Sequence, residues 1–259
     1  MDKAVTFSAE GGVGILTIDK PPANSYDMAY IQDLEAAVQA AANDDSVKVV
    51  LVRSASEKFF SAGADVKAFL ANTTEDNMKM IRLAHEVLSS IEDIPKVFIA
   101  VINGHAMGGG LEIALACDLR YAGDGGFRMG LPEVSLGLLP GMGGTQRLPR
   151  LIGKTTALKM MLTGETVKPQ QALELGIVDQ LFPAESVWED SLAYAQQLAN
   201  GPTMAIGHIK RATHEGMRGS LQDGLKLEQR LVEELFGSDD AAEGLAAFSE
   251  KRQANFKGS

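Results

Sequence analysis

Only one cysteine, Cys117, occurs in the chain. An intramolecular disulfide is therefore excluded, and a reducing, cytoplasmic setting is expected. Cys117 follows Ala114, Leu115 and Ala116, which favours a small core side chain over a nucleophile. No apolar run approaches the roughly 20 residues that a membrane-spanning helix needs. The first residues, Met1-Asp2-Lys3-Ala4-Val5, have neither the apolar centre of a secretory signal nor the arginines of a transit peptide. Basic charge is scarce as well. Against 34 Asp and Glu stand 24 Lys and Arg, a formal net charge of −10. That argues against non-specific binding to nucleic acid or to an anionic membrane, both of which need a basic face. It leaves room for a small anionic ligand, which needs only a few local cations. The four histidines, His85, His105, His208 and His214, show no metal-ligand spacing with acids or with Cys117, so no metal is expected. A Gly-x-Ser-x-Gly nucleophile elbow and a Walker phosphate loop are both missing.

What is present is an ordinary globular balance, 45% hydrophobic and 22% charged residues over 259 positions, enough for one sizeable core. Val5–Ser8 and Val13–Asp19 read as strands of a hairpin around Gly11-Gly12. After the loop Lys20–Ser25, Asp27 is placed to cap a helix running to about Asn43, with Tyr30, Ile31, Leu34, Val38 and Ala41 at helical spacing. A strand at Val49–Arg53, a helix over Thr74–Glu92 and a strand at Val97–Ile102 complete an alternation that predicts an α/β core. From about Tyr194 onward no strand pattern appears. Helices are predicted over Met204–Gly216, Leu221–Phe236 and Ala241–Ala254. The chain thus divides into a core, residues 1–195, and a helical region, residues 196–259.

Three segments carry chemistry. In Ser61-Ala62-Gly63-Ala64-Asp65-Val66-Lys67, small residues allow a ligand to approach backbone N–H groups, although a plain turn with Asp65 as a cap explains them too. In Asn103–Glu112, Gly108-Gly109-Gly110 open an apolar helix and expose N–H groups at the positive end of its dipole. That suits an anion or a developing enolate; close helix–strand packing is the alternative. Glu112 lies within that apolar helix, where an acid is costly unless paired or used; a first-turn partner for the dipole is the plainer account. In the third segment, Pro132 suits the first position of a short helix and Glu133 the second. Exposure would explain Glu133 equally well.

Taken in order, Ser61–Lys67, Asn103–Asp118, Gly130–Arg150 and Glu243–Lys257 resemble the crotonase, or enoyl-CoA hydratase/isomerase, superfamily. The resemblance implies a spiral of β-β-α turns followed by a C-terminal helical trimerisation region. It implies an oxyanion hole from the N–H groups of Ala64 and Gly109, and two catalytic acids, Glu112 and Glu133. Ala23, Ala62, Asp65, Val66 and Lys67 match stretches that contact coenzyme A. Phe256 and Lys257 match residues that reach the CoA of a neighbouring subunit. A homo-oligomer, a trimer or a dimer of trimers, is implied, with an acyl-CoA substrate and no separate cofactor. The activity implied is hydration of the 2,3 double bond of 2-enoyl-CoA thioesters. A Δ3,Δ2-enoyl-CoA isomerase is the runner-up, and an RNA-binding member is the non-enzyme alternative, disfavoured by the acidic charge. There are two departures. Pro22-Ala23-Asn24-Ser25-Tyr26 replaces the commoner Ala-Leu-Asn-Ala-Leu, and Asp124–Arg128 is one residue longer than usual.

Overall fold

The computed structural model describes residues 3–259. Its strands are β1 (Val5–Glu10), β2 (Val13–Ile18), β3 (Val49–Ser54), β4 (Phe59–Ser61), β5 (Val97–Ile102), β6 (His105–Met107), β7 (Leu119–Asp124), β8 (Met129–Gly130), β9 (Thr166–Val167) and β10 (Gln180–Pro183). The helices of the core are α1 (Met28–Asn43), α2 (Val66–Ala71), α3 (Thr74–Asp93), α4 (Gly109–Ala116), α5 (Gly144–Ile152), α6 (Lys154–Thr163), α7 (Pro169–Leu175) and α8 (Val187–Ala199). Three more follow: α9 (Thr203–Gly216), α10 (Leu221–Phe236) and α11 (Asp239–Glu250).

The larger sheet has the order β1-β2-β3-β5-β7-β10 and is parallel except for the β1–β2 hairpin. Its central strands are apolar on both faces, as a parallel sheet covered on both sides requires. Val50, Val52, Phe98, Ala100 and Ile102 point into the main core. The alternate residues Val49, Leu51, Ile99 and Val101 pack under α8, through Val187 and Ala195.

The smaller sheet positions the site. Its order is β4-β6-β8-β9, with β4, β6 and β8 parallel. Three times the chain runs along a strand of the large sheet, enters a short strand of the small one and turns into helix or helical turn: β3 to β4, β5 to β6, β7 to β8. These are the β-β-α turns expected from the sequence. Because β4, β6 and β8 lie parallel and adjacent, their C-terminal ends come side by side. The segments after Ser61, Met107 and Gly130 therefore converge, although they are distant in sequence.

Asp27 caps α1 as expected, its carboxylate accepting from the Tyr30 N–H. At the other end Lys96 donates to the carbonyls of Ala41, Ala42 and Asp44 at 2.8–2.9 Å. That satisfies groups a helix C-terminus otherwise leaves to water. The buried Lys210 ties α9 to the core through the carbonyls of Ile91 and Lys96 and the carboxylate of Asp118.

Residue 195 lies inside α8, whose side chains belong to the second core cluster. The helix expected over Ala241–Ala254 stops at Glu250, because Lys251 turns into the left-handed region at φ 55°. The strands β4, β6, β8 and β9 are too short to show a period in sequence, which is why they were not predicted.

Tyr30 is fully buried and its hydroxyl has no partner among the described residues. An unpaired buried hydroxyl costs about 1–3 kcal/mol. Tyr30→Phe is therefore expected to leave the melting temperature unchanged or raised; a clear drop would show that the hydroxyl is satisfied in solution.

Candidate active site

The loop before α1 is fastened to the first chemical segment. Asn24, 1% exposed, donates to Ser54 Oγ at 2.8 Å and to the carbonyls of Phe59 and Phe60 at 3.1 Å. Ala62 N–H donates to the Ala23 carbonyl. The Tyr26 N–H and carbonyl pair with Gly63 and Asp65, one on each side of Ala64. Gly63, at φ 91°, lies so close to Met107 that a Cβ there would come within 2.9 Å of the Met107 carbonyl oxygen. No residue but glycine fits.

This fastening commits several neighbouring amides but not those of Ala64 and Gly109. Tyr26, Asp65 and Gly108 N–H groups all donate within the backbone, whereas no backbone acceptor is found for Ala64 or Gly109 among the described residues. Gly109 is the first residue of α4, where an orphan N–H at the positive end of the helix is expected. Both residues line a cleft of about 500 Å³.

The acids come from the other two segments. Glu112 is 1% exposed. Its Oε1 accepts from the N–H groups of Met142 and Gly144 at 2.8 and 2.7 Å, while its Oε2 has no partner among the described residues. Glycine at 144 also reflects crowding, since a Cβ would sit 2.7 Å from Leu131 Cδ1, 2.9 Å from Pro140 Cβ and 3.0 Å from that oxygen. Arg147, which donates to the Met142 carbonyl and pairs with Glu92, holds the loop that supplies these amides. Glu133 opens a 3-10 turn after Pro132, rather than holding the second position of a helix begun by Pro132. It is half-buried and lines the cleft, and its Oε2 likewise has no partner. A Cβ on Gly108, at φ 54°, would lie 2.8 Å from Glu133 Oε1.

Burial is the largest influence on both acids and raises both pKa values. At Glu112 it is opposed by the amides of Gly144 and Met142 and by the charge of Arg147. At Glu133 it is reinforced by the negative charge of Glu112, and the pKa reaches about 7. The surroundings thus push the pair apart. Glu112 has two donors that favour its ionised form, and Glu133 has a neighbour that favours its neutral form.

Ala62 and Val66 also line the cleft. Ala23 acts through its carbonyl and is not part of the lining. Asp65 caps α2, accepting from the N–H groups of Lys67 and Ala68; the Lys67 side chain is exposed. Phe256 and Lys257 do not meet the cleft of their own chain. Phe256 packs by Gly244 against α11, and Lys257 N–H donates to Asp240. Sequence reasoning missed Tyr26, whose ring lies against Gly109, and the Met142 and Gly144 amides. The glycines of Gly141-Met142-Gly143-Gly144 were the signal for the latter. Among the described residues, no group of three or more His, Cys, Asp or Glu is placed to hold a metal, and no helix is long and apolar enough to cross a membrane.

The profile of the Enoyl-CoA hydratase/isomerase family matches residues 8–259. The chain belongs to this family. A probable enoyl-CoA hydratase of Bacillus subtilis (strain 168) is 36% identical over 257 residues, 98% of this chain and 99% of that protein. The 2,3-dehydroadipyl-CoA hydratase of Escherichia coli (strain K12) is 37% identical over 256 residues, 97% of each. The crystal structure of an enoyl-CoA hydratase from Geobacillus kaustophilus HTA426 superimposes with a TM-score of 0.98 at 44% identity, covering 100% of this chain and 98% of that one. The α/β spiral expected from the sequence is the family fold.

Gly109 leaves no room for a side chain where Tyr26 stands. A Cβ would fall 2.4 Å from Tyr26 Cε1, so Gly109→Ala must displace that ring. It is expected to lose about 1–3 kcal/mol of stability, typical of overpacking, and to melt earlier than the wild type. An unchanged melt would show that Tyr26 yields freely.

Proposed function

We propose that the protein is an enoyl-CoA hydratase that adds water across the 2,3 double bond of 2-enoyl-CoA thioesters in acyl-CoA catabolism. The observation that carries this is the pair of carboxyls, one buried and one half-buried, each with one unpartnered oxygen, on segments that converge on the uncommitted amides of Ala64 and Gly109. The names of its relatives agree, and they include both a short-chain and a dicarboxylic activity. They leave the acyl group of this chain open.

A 2-enoyl thioester is a Michael acceptor. As water attacks C3, electron density moves through C2 onto the thioester oxygen. The N–H groups of Ala64 and Gly109 donate to that oxygen, and each such donor is worth about 3 kcal/mol in the transition state. The α4 dipole acts on the same charge. Glu112, as carboxylate, takes a proton from the water whose oxygen bonds to C3. Glu133, as carboxylic acid, gives its proton to C2. The product is 3-hydroxyacyl-CoA, and the proton on Glu112 returns to Glu133 between turnovers. An isomerase moves a proton between C2 and C4 and needs one acid. The second acid, buried and held by two amides, favours the hydratase.

Coenzyme A is bound as part of the substrate, with no other cofactor. Ala62, Asp65 and Val66 shape its passage beside the cleft, Ala23 backs that stretch, and Lys67 offers a cation. Residues beyond about 195 serve assembly into a trimer or a dimer of trimers, in which Phe256 and Lys257 reach a neighbour's CoA. Large apolar side chains exposed on α9–α11, including Ile209, Leu221, Phe236 and Phe248, support this. A cytoplasmic location belongs to the same reading.

Loss of crotonyl-CoA absorbance on hydration is the test. Glu133→Gln is expected to lower the rate by about 10² to 10⁴, and Glu112→Gln by a comparable factor, with both variants folded. In the wild type, hydration is expected to fall as pH rises through about 7, the range in which Glu133 loses its proton. Normal hydration by Glu112→Gln would remove the case for a hydratase.

A trimer or hexamer in sedimentation at micromolar concentration is expected. A monomer there would contradict the assembly and the role given to Phe256 and Lys257.

A further inference from the structure

Tyr26 carries a hydroxyl that the proposed chemistry does not use. Its backbone is engaged on both sides of Ala64. Its ring is fixed by three neighbours. Gly109 lies against one edge, Phe69 stands edge-on with centroids 6.2 Å apart, and Tyr30 is tilted at 6.4 Å. The ring has little room to turn, and it lines the cleft.

The two tyrosines differ in a way that matters. The Tyr30 hydroxyl is sealed in the core. Tyr26 borders the cleft and lies within electrostatic reach of both Glu112 and Glu133, and no hydrogen bond accompanies those influences on its proton. Burial and the two acids keep that proton in place, so the group is a neutral donor and acceptor at ordinary pH.

The remaining cleft wall narrows what such a group can recognise. Apart from His85 and Ser135, it is mostly apolar, with Val66, Met78, Ile81, Met107, Leu138 and Leu139. An alkyl chain laid along this wall displaces water from the phenol and leaves it unpaired. An anionic substituent beside the phenol meets the negative charge of Glu112. An uncharged oxygen on the acyl chain pairs with the phenol and meets neither penalty.

We propose that Tyr26 is a specificity-determining residue that favours 2-enoyl-CoA thioesters bearing an uncharged hydroxyl or keto oxygen on the acyl chain over alkyl chains of the same length. This rests on the hydratase reading above and names the substrate class of the same site.

The test compares 2-hexenoyl-CoA with its 4-, 5- and 6-hydroxy derivatives, on the wild type and on Tyr26→Phe. The readout is the ratio of kcat/KM for each hydroxylated substrate to that for the plain one, so a general loss of activity in the variant cancels. In the wild type the ratio is expected to reach about fivefold or more at one position, the size of one net hydrogen bond. In Tyr26→Phe it should return to about one at that position. A wild-type ratio of one or less at every position overturns the proposal, whatever the variant does. So does a preference that survives in Tyr26→Phe. Failure of the wild type to hydrate even 2-hexenoyl-CoA is a separate result, which overturns the hydratase reading and this proposal with it.

Discussion

Two carboxyl groups taken out of water together cannot both be charged without cost, and the site depends on how that cost is divided. Glu112 and Glu133 are both desolvated, yet their surroundings differ. Two backbone amides on one oxygen and the charge of Arg147 help Glu112 to stay ionised. Glu133 has only its own backbone N–H to favour ionisation, and the charge on Glu112 discourages it further. One group is thereby disposed to accept a proton and the other to hold one, the division that addition of water to a conjugated thioester needs.

The fold creates this division by bringing strand ends together. The parallel strands of the small sheet set the ends of β4, β6 and β8 beside each other, and each delivers one part. The segment after β4 supplies Ala64, the one after β6 supplies Gly109 and Glu112, and the one after β8 supplies Glu133. Glycine appears where these parts touch. Gly63 meets the Met107 carbonyl, Gly108 meets Glu133, and Gly144 meets Glu112. At Gly63 and Gly108 a Cβ would occupy space that an oxygen fills, and at Gly144 it would crowd Leu131 and Pro140 as well as Glu112, so these glycines are required by close approach.

The large sheet and long helices were legible in the sequence because they are periodic. Val97–Ile102 is an unbroken apolar run, and the Tyr30–Ala41 spacing marks one helical face. The small sheet was not, since strands of two or three residues have no period and their pairing is entirely non-local. The end of α11 was missed for a similar reason, because Lys251 in the left-handed region carries no sequence mark. The acids were visible as residues but their partners were not. Nothing local says that Gly144, 32 positions away, donates to Glu112. Tyr26 was noticed only as a departure from a commoner pattern; its contact with Gly109 emerges from the fold.

The central claim is that burial, reinforced by the charge of Glu112, keeps Glu133 protonated near neutrality. It is tested most directly by following the Glu133 carboxyl itself, by carbon-13 NMR of glutamate-labelled protein across pH, in the wild type and in Glu112→Gln. The account expects the wild-type Glu133 to titrate near 7 and to shift to lower pH when Glu112 can no longer carry charge. A Glu133 that titrates in the ordinary carboxylate range in the wild type, or does not move when Glu112 is neutralised, would contradict it.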